Sequence, residues 1–372
     1  MNTGRIGIIT SDLSLFSNGL VQNAYFIYKV LKNLGYKCDL LCWSPNYKKL
    51  DYEDIPVRTI SDDEEKFRLS NYKLIITVAE GVTEHLYAQC KKHKVYVIGF
   101  ICGNSLCMNL EKWVQEKPQS TAVGKERPVD ELWLIGAFSF MKTYIELLRG
   151  AKARLVPHLW SPGLLENHII TKHNKTISDL MYNEAIHSGK KIDIIILEPN
   201  INFVKTALIP LMAAEKFHIL HGGLLNEVFV FNFPMQSKDA LHIVNSLTVK
   251  SKLRKFKSLH IAEILLHFNK KDTMPIFVSH QLYTHWNYLY YELMYYGYPL
   301  VHNSNLLKEY CYQYNEFDID VCADQIHNAF LNHTTLRHSQ QEMNYKFLKS
   351  IDPDGDESKT TWKGLVESVY KI

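Results

Sequence analysis

Short β-branched runs alternate with longer segments of helical period along this chain, and the alternation breaks once and then restarts. A strand followed by a helix that must cover its apolar face is the repeating unit of a parallel sheet flanked by helices. In the first half the strand candidates are residues 5–10, 37–42, 74–78, 95–100, 131–135 and 153–156. The stretch 159–191 then turns polar, with Pro162, Gly163 and Gly189 among His, Asn and Lys, and reads as a junction. A second series opens with 192–197 and continues through 218–220, 228–233, 276–279 and 300–302. At 372 residues the chain exceeds what one core usually fills. The expected fold class is α/β, with two Rossmann-like domains facing a cleft. Residues 1–165 form the first domain, 190–355 the second, and 356–372 a C-terminal helix packing back on the first. Ligands of such sheets gather at the carboxyl ends of the strands.

Composition narrows the function classes. With 42 basic against 39 acidic residues and a net charge of +3, no single-sign field is available, and Lys and Arg form no stripe. Nucleic acid is therefore not an expected partner. The seven cysteines (Cys38, Cys42, Cys90, Cys102, Cys107, Cys311, Cys322) make no CxxC pair, which fits free thiols in a reducing compartment. No signal-peptide pattern opens the sequence and no apolar run is long enough for a transmembrane segment, so a cytoplasmic location is expected. The sequons at Asn174 and Asn332 then carry no weight. The first βα turn lacks GxGxxG, so no nicotinamide or flavin cofactor is expected. His280, His285 and His302 match no metal-ligand spacing, and no metal site is expected.

Three constellations carry chemistry. The first turn runs from Ile8 to Asn23 through a long polar loop, then a helix of period 3.6 through Leu34. Its Ser17-Asn18-Gly19 would offer donors at a helix N-terminus, and Asp12 sits at a strand end as a candidate base. Helix capping by Ser17 or Asn18 and a turn-forming role for Asp12 compete with that reading. Glu80, in Val78-Ala79-Glu80-Gly81, is a second candidate base. The second constellation, Glu198-Pro199-Asn200-Ile201-Asn202-Phe203-Val204-Lys205, follows the second domain's first strand. Lys205, a turn or two into the next helix, would neutralise a diphosphate, with Asn200 and Asn202 as neutral donors. A solvated lysine after an Asx cap is the alternative.

The third constellation reads strand, loop, helix, turn, strand: Ser279-His280-Gln281, then Asn287 to Glu292, then Gly297-Tyr298-Pro299-Leu300-Val301-His302-Asn303-Ser304. Glu292 lies in a helix of Trp, Tyr, Leu and Met, so its carboxylate needs a partner, and a ribose diol supplies two donors. A backbone amide or a Tyr hydroxyl is the competing partner. Gly297-Tyr298-Pro299 ends the helix and delivers Asn303 and Ser304 to the cleft. Most of the aromatic stretch from Tyr283 to Tyr298 is core by its spacing, leaving Tyr283 or Trp286 as ligand contacts.

These pieces resemble the two-domain glycosyltransferases of the GT-B fold. The segment Tyr291-Glu292-Leu293-Met294-Tyr295-Tyr296-Gly297-Tyr298-Pro299-Leu300-Val301 looks like their donor site, where a Glu binds ribose ahead of a Gly-x-Pro turn. Over nearly its whole length the chain is similar to a glycosyltransferase-like family, formerly a domain of unknown function, of bacteria and large DNA viruses. The matching pieces include Ser14 to Gly19 with Gln22-Asn23, Gly103-Asn104, Asp130-Glu131-Leu132-Trp133, Val156-Pro157-His158-Leu159-Trp160 and Glu198-Pro199-Asn200. The third constellation supplies the rest. The resemblance implies a nucleotide-sugar donor, UDP- or GDP-linked, bound by Asn200, Lys205, Ser279, His280, Gln281, Glu292, Asn303 and Ser304. It also implies a glycan or other hydroxyl acceptor near Ser17, Asn18, Gly19, Asn104 and His158.

Retaining members carry a second Glu eight residues before the ribose Glu, and Thr284 stands there in this chain. If the reaction inverts, Asp12 or Glu80 takes the acceptor proton. Lys205 and helix N-terminal amides stabilise the leaving diphosphate, with no metal, since no Asp-x-Asp pair sits at a strand end. The expectation is a metal-independent hexosyl- or pentosyltransferase that needs no cofactor beyond its co-substrate. A catalytically inactive nucleotide-sugar or glycan-binding protein and a sugar-nucleotide epimerase stay open as alternatives.

Overall fold

A computed structural model of the chain describes residues 4–16, 19–50, 55–78, 80–115, 128–187, 191–234 and 236–371. The chain divides into two compact units, one of residues 1–161 with 349–372 and one of residues 162–348. The division falls at Ser161/Pro162, at the start of the polar stretch. That stretch belongs to the second unit, as the helix Gly163–His173 and shorter turns.

The first unit holds seven parallel strands: β1 (Arg5–Ile9), β2 (Cys38–Cys42), β3 (Val57–Thr59), β4 (Tyr72–Thr77), β5 (Tyr96–Ile101), β6 (Glu131–Ile135) and β7 (Ala153–Val156). Their spatial order is β3-β2-β1-β4-β5-β6-β7. The central strands are buried on both faces, which is why they read as near-continuous apolar runs. The C-terminal helix Asp356–Tyr370 packs in this unit, with Trp362 fully buried 5.6 Å from the Trp133 ring in an edge-to-face pair.

The second unit holds six: β8 (Ile192–Ile196), β9 (Leu225–Val230), β10 (Leu253–Lys255), β11 (Met274–Ser279), β12 (Leu300–His302) and β13 (Tyr312–Gln313), in the order β10-β9-β8-β11-β12-β13, all parallel. Its core includes Ile192, Ile194, Ile196, Phe217, Val228, Ile276 and Val301. Each such side chain contributes roughly 1.5–3 kcal/mol by leaving water.

Two kinds of element depart from the sequence reading. Residues 218–220 are not a strand: His218-Ile219-Leu220 is the last turn of the helix Leu208–His221. A helix built on Leu, Met, Ala and Glu runs on to the Gly222-Gly223 pair, and β9 begins only at Leu225. The edge strands β3, β10 and β13 were missed because two or three residues are too few to show a period.

Candidate functional site

In each sheet the strand order reverses at one point. The chain goes from β8 outward to β9 and β10, then crosses to the other side of β8 to lay down β11. A reversal of this kind is where open α/β sheets hold ligands, and the loops leaving β8 and β11 meet there. Glu198 follows β8, and His280 and Gln281 follow Ser279, the last residue of β11.

Glu198 is 1% exposed and ties the two loops together. Its carboxylate accepts the Ser279 hydroxyl, the His280 backbone N–H at 3.1 Å and the Gln281 side-chain amide at 3.4 Å. Ser279 Oγ also lies 3.0 Å from the Tyr290 hydroxyl. Burial pushes the Glu198 carboxyl up to about 7, although the Ser279 hydrogen bond and the positive charge of Lys205 pull the other way. The sequence alone assigns Glu198 no role. A carboxylate placed immediately after a buried strand was the available signal.

Lys205 is not inside a helix, because the helix starts only at Leu208. It lies in the preceding loop, half-buried, where its backbone bridges to Gln281 while Leu282 N–H donates to the Val204 carbonyl at 2.7 Å. Burial lowers the pKa of its ammonium and the Glu198 charge opposes that shift. Asn200 is spent on the loop itself. Sitting at φ +54°, it donates to the Glu198 and Asn232 carbonyls and accepts the Ala207 N–H, which leaves one lone pair of its oxygen. Asn303 is similarly engaged, accepting from Gln281 N–H at 3.0 Å and donating to Gln281 C=O at 3.2 Å. Ser304 Oγ donates to the His285 carbonyl at 2.7 Å. These asparagines and the serine shape the loops. Thr284 is buried, its hydroxyl 3.5 Å from the Leu282 carbonyl. Tyr283, half-exposed, stands at φ +48°, a left-handed backbone that a bulky side chain rarely takes.

Glu292 lies on the helix Tyr288–Tyr296, capped by the Asn287 side chain at its start and by Gly297 at φ +75° at its end. The residue is 7% exposed, and no hydrogen bond or ion pair from another described residue reaches its carboxyl, whose oxygens are not fully sealed from water. Burial raises its pKa to about 8. The contrast with other buried acids is informative. Asp193, 0% exposed, is held by Asn226 at 2.8 Å, Thr273 at 2.6 Å and Lys271 at 3.0 Å. Asp39 is held by Arg5, Arg58 and Tyr72, which keep its pKa low despite burial. Those acids sit on strands and are fully paired, as buried charges must be. Glu292 alone among these three is left for something else to satisfy.

In the first unit the reversal lies between β1 and β4, and both candidate bases follow those strands: Asp12 exposed, Glu80 half-buried. The pKa of the Cys42 thiol at the end of β2 is raised chiefly by burial, and further by the charges of Glu80 and Asp12. Thr10 and Ser11, overlooked in the sequence, are buried there with hydroxyls that find no partner among the described residues. Gly19 opens the helix Gly19–Asn33, its carbonyl accepting from Asn23 at 2.6 Å. Ser17 and Asn18 lie outside the described residues. Asn104 is buried and accepts the Cys107 N–H at 3.1 Å, capping the helix Ser105–Gln115. His158 is buried and kept neutral, its pKa pushed down to about 3 by burial.

Comparison with solved structures places this architecture. A glycosyltransferase from Rickettsia africae superposes with a TM-score of 0.59 at 11% identity, covering 100% of this chain and 99% of that one. Anabaena HepE in complex with UDP-glucose gives 0.63 at 11% identity, covering 98% and 100%. An α-glucosyltransferase in complex with UDP and DNA gives 0.56 at 12%, covering 98% and 99%. At such identities the likeness establishes the fold, two Rossmann-like units in tandem as in GT-B glycosyltransferases. No curated protein matches the sequence. Residues 5–366 match the family described as protein of unknown function DUF2827, and the chain belongs to that family.

Proposed function

We propose that the chain is a glycosyltransferase whose second unit holds a nucleotide-sugar donor. The observation that carries this reading is Glu292, a carboxylate left without a partner in the unit whose switch-point loops are braced by Glu198. A buried acid without donors costs several kcal/mol, and a ribose diol would offset that cost with two hydrogen bonds. The UDP- and UDP-glucose-bound neighbours of the same fold point to a uridine nucleotide. Lys205 supplies a positive charge for the diphosphate, so no metal is required for its departure. In an inverting transfer, Asp12 or Glu80 takes the proton of the acceptor hydroxyl as its oxygen bonds to the sugar's anomeric carbon. The bond from that carbon to the diphosphate oxygen breaks, and the diphosphate leaves with the electron pair. Thr284, in place of a second carboxylate, favours inversion.

The test is thermal stability against UDP, GDP, UDP-glucose and GDP-mannose. A ligand at 100 times its dissociation constant adds about 2.7 kcal/mol to the folded state. Stabilisation by one nucleotide class that disappears in Glu292→Ala supports the reading. No response to any of them at millimolar concentration refutes it.

A further inference from the structure

Lys205 and Glu292 account for a diphosphate and a ribose, but the loop at the end of β11 has groups that neither role uses. His280 is 1% exposed, its Nδ1 2.9 Å from the Tyr314 hydroxyl. A phenol carries one proton, and the Ser279 carbonyl at 3.2 Å, which can only accept, draws on it. With its proton so directed, the Tyr314 oxygen is an acceptor toward the imidazole, and Nδ1 must carry the hydrogen. Burial lowers the ring's pKa to about 4, so it is neutral and has a single N–H. Nε2 is then a bare lone pair, and it has no partner among the described residues. Gln281 repeats the pattern. Its amide N–H donates to Glu198, and Oε1, also buried, is left without a partner. Glu198 and Asn303 hold the backbone of both residues, while Tyr314 holds the His280 ring and Glu198 the Gln281 amide. The half-exposed Phe317 ring packs 5.0 Å from the His280 ring.

We propose that His280 Nε2 and Gln281 Oε1 form a paired acceptor for O–H or N–H groups of the bound nucleotide-sugar, with Tyr314 as the positioning residue that sets the His280 tautomer. His280 is thereby a specificity-determining residue. Two buried acceptors on consecutive residues repel a phosphate, which offers only oxygens at neutral pH, and attract a diol or a base N–H. The proposal rests on the donor-site reading and divides it: charge at Lys205, hydrogen-bond discrimination at His280 and Gln281.

Long-range ¹H–¹⁵N spectra of the full chain at neutral pH test the tautomer without any ligand. A protonated Nδ1 with a bare Nε2 is expected, and a mixture of tautomers in Tyr314→Phe. A protonated Nε2 in the wild type overturns the proposal. Calorimetric titration with UDP and UDP-glucose tests the recognition. His280→Phe is expected to weaken binding about tenfold, the scale of one buried hydrogen bond left unmade, and Tyr314→Phe a few-fold. Weaker UDP binding assigns the donated hydrogen to the base or ribose, whereas a loss confined to UDP-glucose assigns it to a sugar hydroxyl. Unchanged affinity for both ligands in both folded variants overturns the proposal. If wild type binds no nucleotide while its Nε2 is bare, the donor-site reading itself has failed.

Discussion

Replacing Glu292 by Gln should make this protein more stable, increasingly so as the pH rises. The glutamate is 7% exposed, and burial lifts its pKa from an ordinary 4.5 to about 8. Between those values the folded chain binds a proton that the unfolded chain has released, so stability falls as pH increases. The contribution is intact below pH 4.5 and is lost as pH approaches 8. At about 1.4 kcal/mol for each tenfold in proton affinity, the burden reaches roughly 3 kcal/mol at pH 7 and on the order of 4–5 kcal/mol above pH 8. Gln carries no such burden. The Glu198 carboxyl, raised to about 7, slopes stability the same way in both proteins and cancels in the difference. Urea unfolding of wild type and Glu292→Gln at pH 5 and pH 8.5, followed through the transition of the second unit, measures it. The gain from Glu292→Gln should widen by several kcal/mol between the two pH values. A difference that stays constant, or a variant that is less stable at pH 8.5, would refute the reasoning, because it would mean the carboxylate is already satisfied. The gain should come with loss of nucleotide binding, the trade expected of a site kept for function.

Other substitutions probe the remaining pieces. Glu198→Ala leaves the Ser279 hydroxyl, His280 N–H and Gln281 amide without their acceptor and should cost about 3–4 kcal/mol in chemical denaturation. Glu198→Gln, which keeps one acceptor oxygen, should cost about half as much. Lys205→Ala should weaken UDP and UDP-glucose about tenfold or more in calorimetry and leave uridine unaffected, since only the diphosphate meets the charge. Once a donor and acceptor are found, Asp12→Asn and Glu80→Gln should separate the candidate bases. The true base should lose about 10²–10⁴ in kcat with donor affinity unchanged, and the other variant little.

Much of the fold was legible in the sequence because βα alternation is a local property. Each central strand is buried on both faces, and each helix carries its own period. The site was legible in part, for the same reason: the helix-turn-strand around Glu292 and the Ser279-His280-Gln281 run stand at element ends that a pattern can mark. What local pattern cannot show is which loops meet. Glu198 looked like an ordinary residue after a strand until the crossover from β10 to β11 set the β11 loop beside it. Asn200 and Asn303 follow strands with polar amides, and only the tertiary structure shows that each also braces the loops.

The sequence by itself therefore determined two parallel α/β units, their strand ends and the residue types gathered there, since these follow from burial period and turn chemistry. Tertiary structure alone decided which polar groups are spent and which are left over. A hydrogen bond between residues some eighty positions apart, as between Glu198 and Ser279, depends on strand order and not on spacing. The unpaired His280 Nε2 and Gln281 Oε1 can be recognised only after every neighbouring donor and acceptor has been counted.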